Sequence, residues 1–172
     1  VLVANLLIFY AYRNIIKQHL CSLSSIFKGS KVQYKILYLL LFFIILAQSS
    51  TKPYLIDNES YYIQTIKWIN EYGYVKGLAN VHMFLGQNSS WHTLQAGFNF
   101  SFLSNSFNDI NGFLFVIFGF FLVDKLDNYN PKKTIQHFNL GLVSIFSIFL
   151  MQFVNAPSPD LIIFLITPYI FY

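Results

Sequence analysis

Two long stretches without a charged side chain limit what this chain can fold into. Residues 36–51 carry no Asp, Glu, Lys or Arg between Lys35 and Lys52, and residues 134–159 carry none between Lys133 and Asp160. A bilayer-crossing helix needs about 20 predominantly apolar residues, and fewer when flanking lysines extend toward the interface. The chain is 55% hydrophobic and only 10% charged, whereas soluble domains carry about 25% charged residues. The pattern therefore predicts membrane-spanning helices.

The order of the apolar runs predicts the architecture. We expect an all-α, polytopic transmembrane helix bundle that forms a single membrane domain over residues 1–172. Both ends of the chain lie within apolar runs, so we expect it to be a fragment of a longer protein. Residues 52–106 form a long outer loop in this prediction. The predicted spans cover about residues 1–12, 34–51, 107–123, 135–154 and 161–172.

The basic residues predict the orientation. The loops at residues 13–35 and 124–133 hold five and three Lys or Arg, whereas residues 52–109 and 155–160 hold three and none. Because cytoplasmic loops carry the excess of basic residues, residues 52–109 are predicted to be non-cytoplasmic. The net charge of +4 thus indicates orientation and contact with membrane lipid, and we expect no nucleic-acid partner.

Two amphipathic juxtamembrane helices are predicted in the outer loop. Asp57 or Asn58 is a fitting N-cap for the first, and Gly73 is a fitting C-terminal glycine. Ser89 and Ser90 cap the second. Such helices often lie along a membrane surface. Their apolar positions are Tyr62, Ile66, Ile69 and Tyr72 in the first helix, and Trp91, Leu94, Phe98 and Phe102 in the second.

Acidic residues at the membrane boundary are the catalytic candidates. Asp57 and Glu59 directly follow the second span, where partial burial beside lipid would make a carboxylate a better general base. The same pair could hold a divalent cation, or could simply cap a helix and complement its dipole. Asp160, at the mouth of the last span, is assigned to substrate binding as a second functional acid, and the ordinary start of a helix after Pro159 is the alternative.

The remaining polar candidates are assigned to substrate binding. His82, His92 and Lys67 could contact a phosphate group, although hydrogen bonds to the loop backbone and a solvated lysine are the plainer alternatives. Asn88 belongs to the same candidate set. The histidines lie ten residues apart without further ligands at zinc spacing, so we assign no metal ligands.

Four stretches together resemble a known family. They are YLIDNESYYIQTIKWINEYG at residues 54–73, GLANVH at 77–82, LGQNSSW at 85–91 and SPD at 158–160. This set resembles the LIC_10190-type family of bacterial integral membrane proteins, which is similar to polytopic glycosyltransferases of the GT-C type. Tyr62 departs from the pattern, because the family and its GT-C relatives usually place histidine there. This change implies a weaker phosphate contact or a different substrate.

The resemblance implies a function in the bacterial inner (cytoplasmic) membrane. A sugar would pass from a polyprenyl-phosphate carrier to a cell-envelope acceptor, with Asp57 as base and Asp160 as a second-loop acid. The alternative is a non-catalytic polysaccharide-related protein, namely a flippase, polymerase or scaffold. The predicted spans carry no charged residues away from their ends, where transporters use them, and this favours chemistry at the surface. The sugar, the acceptor and the oligomeric state stay open.

Overall fold

The described part of the chain is helical throughout. The computed structural model describes residues 2–87, 89–101, 107–132 and 134–170, and every regular element in these ranges is a helix, which confirms the all-α class. The α-helices are α1 Leu2–Gly29, α2 Val32–Ser49, α3 Ile63–Tyr72, α4 Leu78–Val81, α5 Ser90–Gly97, α6 Asp109–Asp127, α7 Thr134–Phe153 and α8 Asp160–Ile170. A π-helical turn spans Asn58–Tyr62 and a 3₁₀ turn spans Met83–Gly86.

Helix α1 corrects the predicted basic loop. Residues 13–29 continue the helix that begins at Leu2, so only Ser30 and Lys31 separate α1 from α2. The segment contains no proline, and its lysines and leucines are good helix formers. Lys28 lies in the last turn, where a cation complements the helix dipole. Lys35 Nζ donates to the Lys28 carbonyl at 2.9 Å and satisfies one terminal acceptor.

The four helices α2, α6, α7 and α8 share one apolar core. Phe115 and Phe118 of α6 are fully buried against Phe146 of α7, with ring centroids 5.5 and 5.8 Å apart. Gly119 lets α2 approach closely, because a Cβ at this position would lie 2.3 Å from Leu41 Cδ2. The core of this bundle consists of Ile45, Phe115, Phe118, Leu122, Leu142, Phe146, Leu150, Val154, Leu161 and Leu165.

Helix α2 carries the membrane signal of the described residues. Among them, Val32–Ser49 is the one helix that is long and apolar enough to cross a membrane, judged by length and composition. Much of its surface is exposed apolar side chain, including Leu39, Leu40 and Phe43. A shorter apolar stretch, His137–Phe153, lies in α7. Large exposed apolar surfaces of this kind mark contact with lipid or with another protein.

The bundle has two distinct ends. At the first, which we call the basic end, Lys31 Nζ lies 3.9 Å from Asp127 Oδ1, and Tyr34 donates to the Leu126 carbonyl at 3.2 Å. At the opposite end of α2, Gln48 Nε2 donates to the carbonyl of Met151 in α7 at 3.0 Å. The turns after α1 and α6 therefore share one end. The segment after α2 and the turn between α7 and α8 share the other, which agrees with the alternation of loops predicted from the sequence.

The two helices predicted within residues 52–106 are present as α3 and α5. Gly73 ends α3 as expected, with φ of +71° and its N–H donating to the Ile69 carbonyl at 3.0 Å. Helix α5 begins after Ser89, and of its predicted apolar positions Trp91 is buried, but the rest of its buried face consists of His92, Gln95 and Ala96. Leu94 and Phe98 are exposed, and Phe102 lies outside the described residues. A small cluster of Ile66, Ala96 and Phe107, with Ile63 and Ile69 against it, joins α3 to α5.

Candidate functional site

A π-helical turn presents the predicted catalytic carboxylates. The chain leaves α2, has no regular secondary structure at residues 52–55 and enters the turn Asn58–Tyr62, where the Ile63 N–H donates to the Asn58 carbonyl. π-Helical turns are rare in proteins, but many of those that occur lie at functional sites. Asp57 has helical backbone angles and its side chain makes no capping hydrogen bond, so Asp57 does not cap the helix as predicted. Asp57 and Glu59 are both exposed, so they lack the partial burial that was expected to make a carboxylate a stronger base.

Tyr61 is a buried phenol whose pKa is influenced by both Asp57 and Asp160. Burial raises the pKa of Tyr61 above its usual value of 10.0, the neighbouring Tyr62 hydroxyl adds to this, and the charges of Asp57 and Asp160 raise it further. Charges influence a neighbour in this way only over a short range. Asp57 and Asp160 are distant in sequence, and the segments that carry them lie at the same end of the bundle.

Asn111 holds the turn that carries Asp160. Its Nδ2 donates to the carbonyls of Ala156, at 2.5 Å, and Ser158, at 3.4 Å. Its Oδ1 accepts from Trp91 Nε1 at 3.0 Å and from Gln95 Nε2 at 3.2 Å. Asn111 is fully buried, so each of these bonds replaces one that water would make in the unfolded chain. We call Trp91, Gln95 and Asn111 the polar hub.

Two further asparagines fasten the same turn to the ends of α2 and α7. Asn155 Nδ2 donates to the Thr51 hydroxyl at 2.9 Å and to the Lys52 carbonyl at 2.9 Å. Asn108 Nδ2 donates to the Ser49 carbonyl at 2.9 Å and to the Val154 carbonyl at 3.1 Å. These bonds fix the segment that leads to Asp57 against the turn that leads to Asp160.

Asp160 opens α8 with its carboxylate exposed. Its backbone N–H donates to Ser158 Oγ at 3.3 Å, so Ser158 satisfies one of the free donors at the start of the helix. The predicted helix start at Ser158-Pro159-Asp160 is confirmed. The carboxylate itself remains available on the same end of the bundle as Asp57.

The two predicted histidines have different environments. His82 is exposed, with its ring 5.5 Å from the ring of Phe84. His92 is 1% exposed, and its ring lies 5.3 Å from that of Tyr62. Burial lowers the pKa of His92 from 6.5 to about 4, and the Pro157 carbonyl only partly opposes this. His92 is therefore neutral at pH 7, and it cannot offer a phosphate the positive charge that the sequence suggested.

The last two predicted substrate-binding residues add less. Lys67 is half-buried on α3, beyond the π-helical turn, and Asn88 lies outside the described residues. Among the residues that the structure describes, no three His, Cys, Asp or Glu side chains are grouped so that they could hold a metal ion. The polar side chains of the described site are exposed carboxylates, a buried phenol and buried amides.

Sequence reasoning missed the buried amides. Asn58, Gln95 and Asn111 are each fully buried, and none was a candidate for more than a helix cap. The available signal was their position, because Asn and Gln at the borders of apolar runs are costly unless paired. Trp91 and Gln95 also stand four residues apart, which places them on one face of a helix.

The comparisons with known proteins give one match. The family model described as "Domain of unknown function (DUF8201)" matches residues 1–172. No curated protein and no solved structure matches the chain.

Proposed function

The chain belongs to the DUF8201 family, and we propose that it is part of a membrane glycosyltransferase that resembles the GT-C type. In this proposal a sugar passes from a polyprenyl-phosphate carrier to a cell-envelope acceptor. The protein is multi-pass in the bacterial inner membrane, with residues 52–109 on the non-cytoplasmic side. The resemblance of the LIC_10190-type motifs, from residues 54–73 to 158–160, supports this function.

The bundle's charge distribution supports the orientation. Lys28, Lys31 and Lys35 lie at or beside the basic end, where Lys31 meets Asp127. The opposite end carries Asp57 and Asp160. Because basic residues favour the cytoplasmic side, this arrangement is expected for a site that faces outward. In the proposal α6, α7 and α8 cross the membrane together with α2.

The observation that carries the proposed mechanism is that Asp57 and Asp160 lie at one end of the bundle, where Asn155 joins the segment after α2 to the turn before α8. An acceptor hydroxyl oxygen forms the new bond to the sugar's anomeric carbon, while the bond from that carbon to the carrier phosphate breaks. Asp57 takes the proton of the acceptor hydroxyl, and polyprenyl phosphate leaves with the bonding electrons. Phosphate is a good leaving group, so one positioned base suffices. Asp160 orients the acceptor, and Glu59 is the alternative base.

Exposure of the carboxylates supports the competing function. Asp57 and Glu59 are open to solvent in the isolated chain, as they would be in a flippase, polymerase or scaffold that only contacts polysaccharide. Such a protein needs no base of raised strength. The two functions differ in whether loss of one carboxylate stops covalent transfer.

Replacement of Asp57 tests the proposed function. We expect Asp57→Asn in the full-length protein, reconstituted with a panel of radiolabelled polyprenyl-phosphate monosaccharides, to lower sugar transfer by about 10²–10⁴-fold, the usual contribution of a general base. Glu71→Gln, an exposed carboxylate at the far end of α3, is the matched control and should transfer at the wild-type rate. Equal transfer by Asp57→Asn and wild type would favour the non-catalytic alternative.

A further inference from the structure

Three uncharged polar side chains near the site are buried without hydrogen-bond partners for five of their atoms. The atoms are Asn58 Nδ2 and Oδ1, His92 Nδ1 and Nε2, and Gln95 Oε1, as far as the described residues extend. The three residues are 0%, 1% and 0% exposed. Folded proteins pair nearly all buried polar atoms, since an unpaired one loses its bonds to water without compensation. Three such residues on two adjoining elements require an explanation.

The three residues belong to one neighbourhood. His92 and Gln95 stand three residues apart on α5, so they share a face. Gln95 Nε2 donates to the Pro157 carbonyl at 3.3 Å. The same carbonyl is close enough to the His92 ring to oppose the fall in its pKa, but neither ring nitrogen forms a hydrogen bond to it with good distance and angle. Tyr62 packs its ring 5.3 Å from that of His92. Asn58 begins the π-helical turn that Tyr62 ends, so one turn of helix separates them.

The unpaired atoms define the chemistry that would satisfy them. A neutral imidazole donates from one nitrogen and accepts at the other, the Asn58 amide does both, and Gln95 Oε1 accepts. The set therefore mixes donors and acceptors and carries no charge, because burial keeps His92 neutral. A hydroxyl group both donates and accepts, and it matches this set. A phosphate or a metal ion would match it poorly, since each requires partners of one kind.

We propose that Asn58, His92 and Gln95 form a buried hydrogen-bonding site for uncharged hydroxyl groups. Resting on the proposed function, these are hydroxyls of the sugar carried by the polyprenyl phosphate, and ordered water is the other source of the same chemistry. The five atoms are shielded from solvent in this conformation. The proposal therefore requires that α5 and the π-helical turn move apart when the sugar binds, as in ligand-coupled conformational change.

The test compares carriers with and without a sugar. Wild type and variants of the full-length protein in lipid nanodiscs are titrated with undecaprenyl phosphate and with undecaprenyl-phosphate glucose, mannose and galactose. We expect wild type to bind at least one sugar-bearing carrier more tightly than undecaprenyl phosphate. His92→Phe should weaken that binding by at least tenfold and leave undecaprenyl phosphate binding unchanged.

Three further variants separate binding from folding. His92→Gln keeps an uncharged donor and acceptor and should retain most of the sugar-dependent binding. Asn58→Leu should lose it, with a thermal midpoint at or above that of wild type, because an apolar side chain removes unpaired atoms. Thr65→Val is the control, since Thr65 is buried on α3 but its hydroxyl already donates to the Tyr61 carbonyl at 2.7 Å.

The outcomes separate this site from the proposed function. Wild-type binding that ignores the sugar, or a His92→Phe protein that discriminates between carriers as wild type does, would overturn the proposal and leave water as the source of the hydroxyls. The transferase function survives that result if Asp57→Asn still abolishes transfer. Loss of sugar-dependent binding in His92→Phe, combined with normal transfer by Asp57→Asn, would support the site and reject Asp57 as base.

Discussion

At the scale of single residues, buried amides decide how the candidate site is held. Asn111 joins α6, α5 and the turn before α8 through four hydrogen bonds. The carboxylates that carry the proposed chemistry are themselves exposed and contribute little to the fold. Residues that position the site and residues that would do its chemistry are therefore separate sets, and they can be changed independently.

Asn111→Ala should destabilise the fold strongly. The substitution leaves the Trp91 indole N–H and the Ala156 and Ser158 carbonyls buried without their partner, and we expect a loss of about 2–4 kcal/mol in the free energy of unfolding. Denaturant unfolding in detergent, followed by tryptophan fluorescence, measures it. Asn128→Ala, at the exposed end of the same helix, should change stability by less than about 0.5 kcal/mol. Equal effects of the two variants would refute the polar hub.

Because His92 is buried in its neutral form, we expect the free energy of unfolding to decline in mild acid. Its pKa is about 4 in the folded chain and 6.5 without burial, so the unfolded state binds more protons between these values. The contribution of neutral, buried His92 to the free energy of unfolding is complete above pH 6.5. It is lost as the pH falls toward 4, by about 3 kcal/mol in total. Thermal unfolding of wild type and His92→Phe from pH 7 to 4 measures the difference.

His92→Phe should reduce the slope of the free energy of unfolding against pH between pH 6.5 and 4. His82→Gln is the control, because His82 is exposed, and it should keep the wild-type slope. An unchanged slope in His92→Phe would mean that His92 is not buried in a neutral form.

Sequence reasoning succeeded at residues whose role is local. Gly73 ends α3 through its own positive φ, and Ser158-Pro159-Asp160 begins α8, both of which short patterns predict. The role of Asn111 could not be predicted in the same way, because its partners lie 16 to 47 positions away in the sequence. Burial of His92 likewise depends on packing against Tyr62 across two elements.

At the scale of elements, close helix packing and helix length are the informative features. The sequence predicted the approximate extent of α2, α7 and α8 from apolar runs. It failed for residues 13–29, because a cluster of basic side chains was interpreted as a loop although the segment has no helix breaker before Gly29. Charge indicates exposure, and an exposed segment can still be helical: Tyr10, Ile15 and Leu20 of α1 are exposed along with its basic residues.

The close packing around Gly119 indicates that the contact between α2 and α6 tolerates little increase in side-chain size. A Cβ there would lie 2.3 Å from Leu41 Cδ2 and 3.3 Å from Phe146 Cζ. The leucine tip can move, so Gly119→Ala should cost about 1–2 kcal/mol and Gly119→Leu more. Gly141 of α7 has no atom within 4 Å of such a Cβ, and Gly141→Ala should be neutral or stabilise by up to about 1 kcal/mol. Thermal unfolding in one detergent compares them, and a Gly119→Ala protein as stable as wild type would contradict the packing.

At the scale of the whole molecule, the two ends of the bundle have different chemistry. Contacts between Lys31 and Asp127 define the basic end, and contacts of Asn155 and Asn108 with the end of α2 define the other. The sequence predicted this alternation from loop order, because antiparallel neighbours return to the same end. It could not predict how the second end is closed, since that closure depends on amides from three separate segments.

Side-specific labelling tests the central claim, that the carboxylate end faces outward and the basic end faces the cytoplasm. Cys21 is the sole cysteine in the sequence, is exposed and lies in the last third of α1, toward the basic end. In intact cells a membrane-impermeant maleimide should leave Cys21 unlabelled and should label Glu59→Cys in a Cys21→Ser background, and permeabilised cells should allow both. Labelling of Cys21 in intact cells, with Glu59→Cys protected until permeabilisation, would contradict the account.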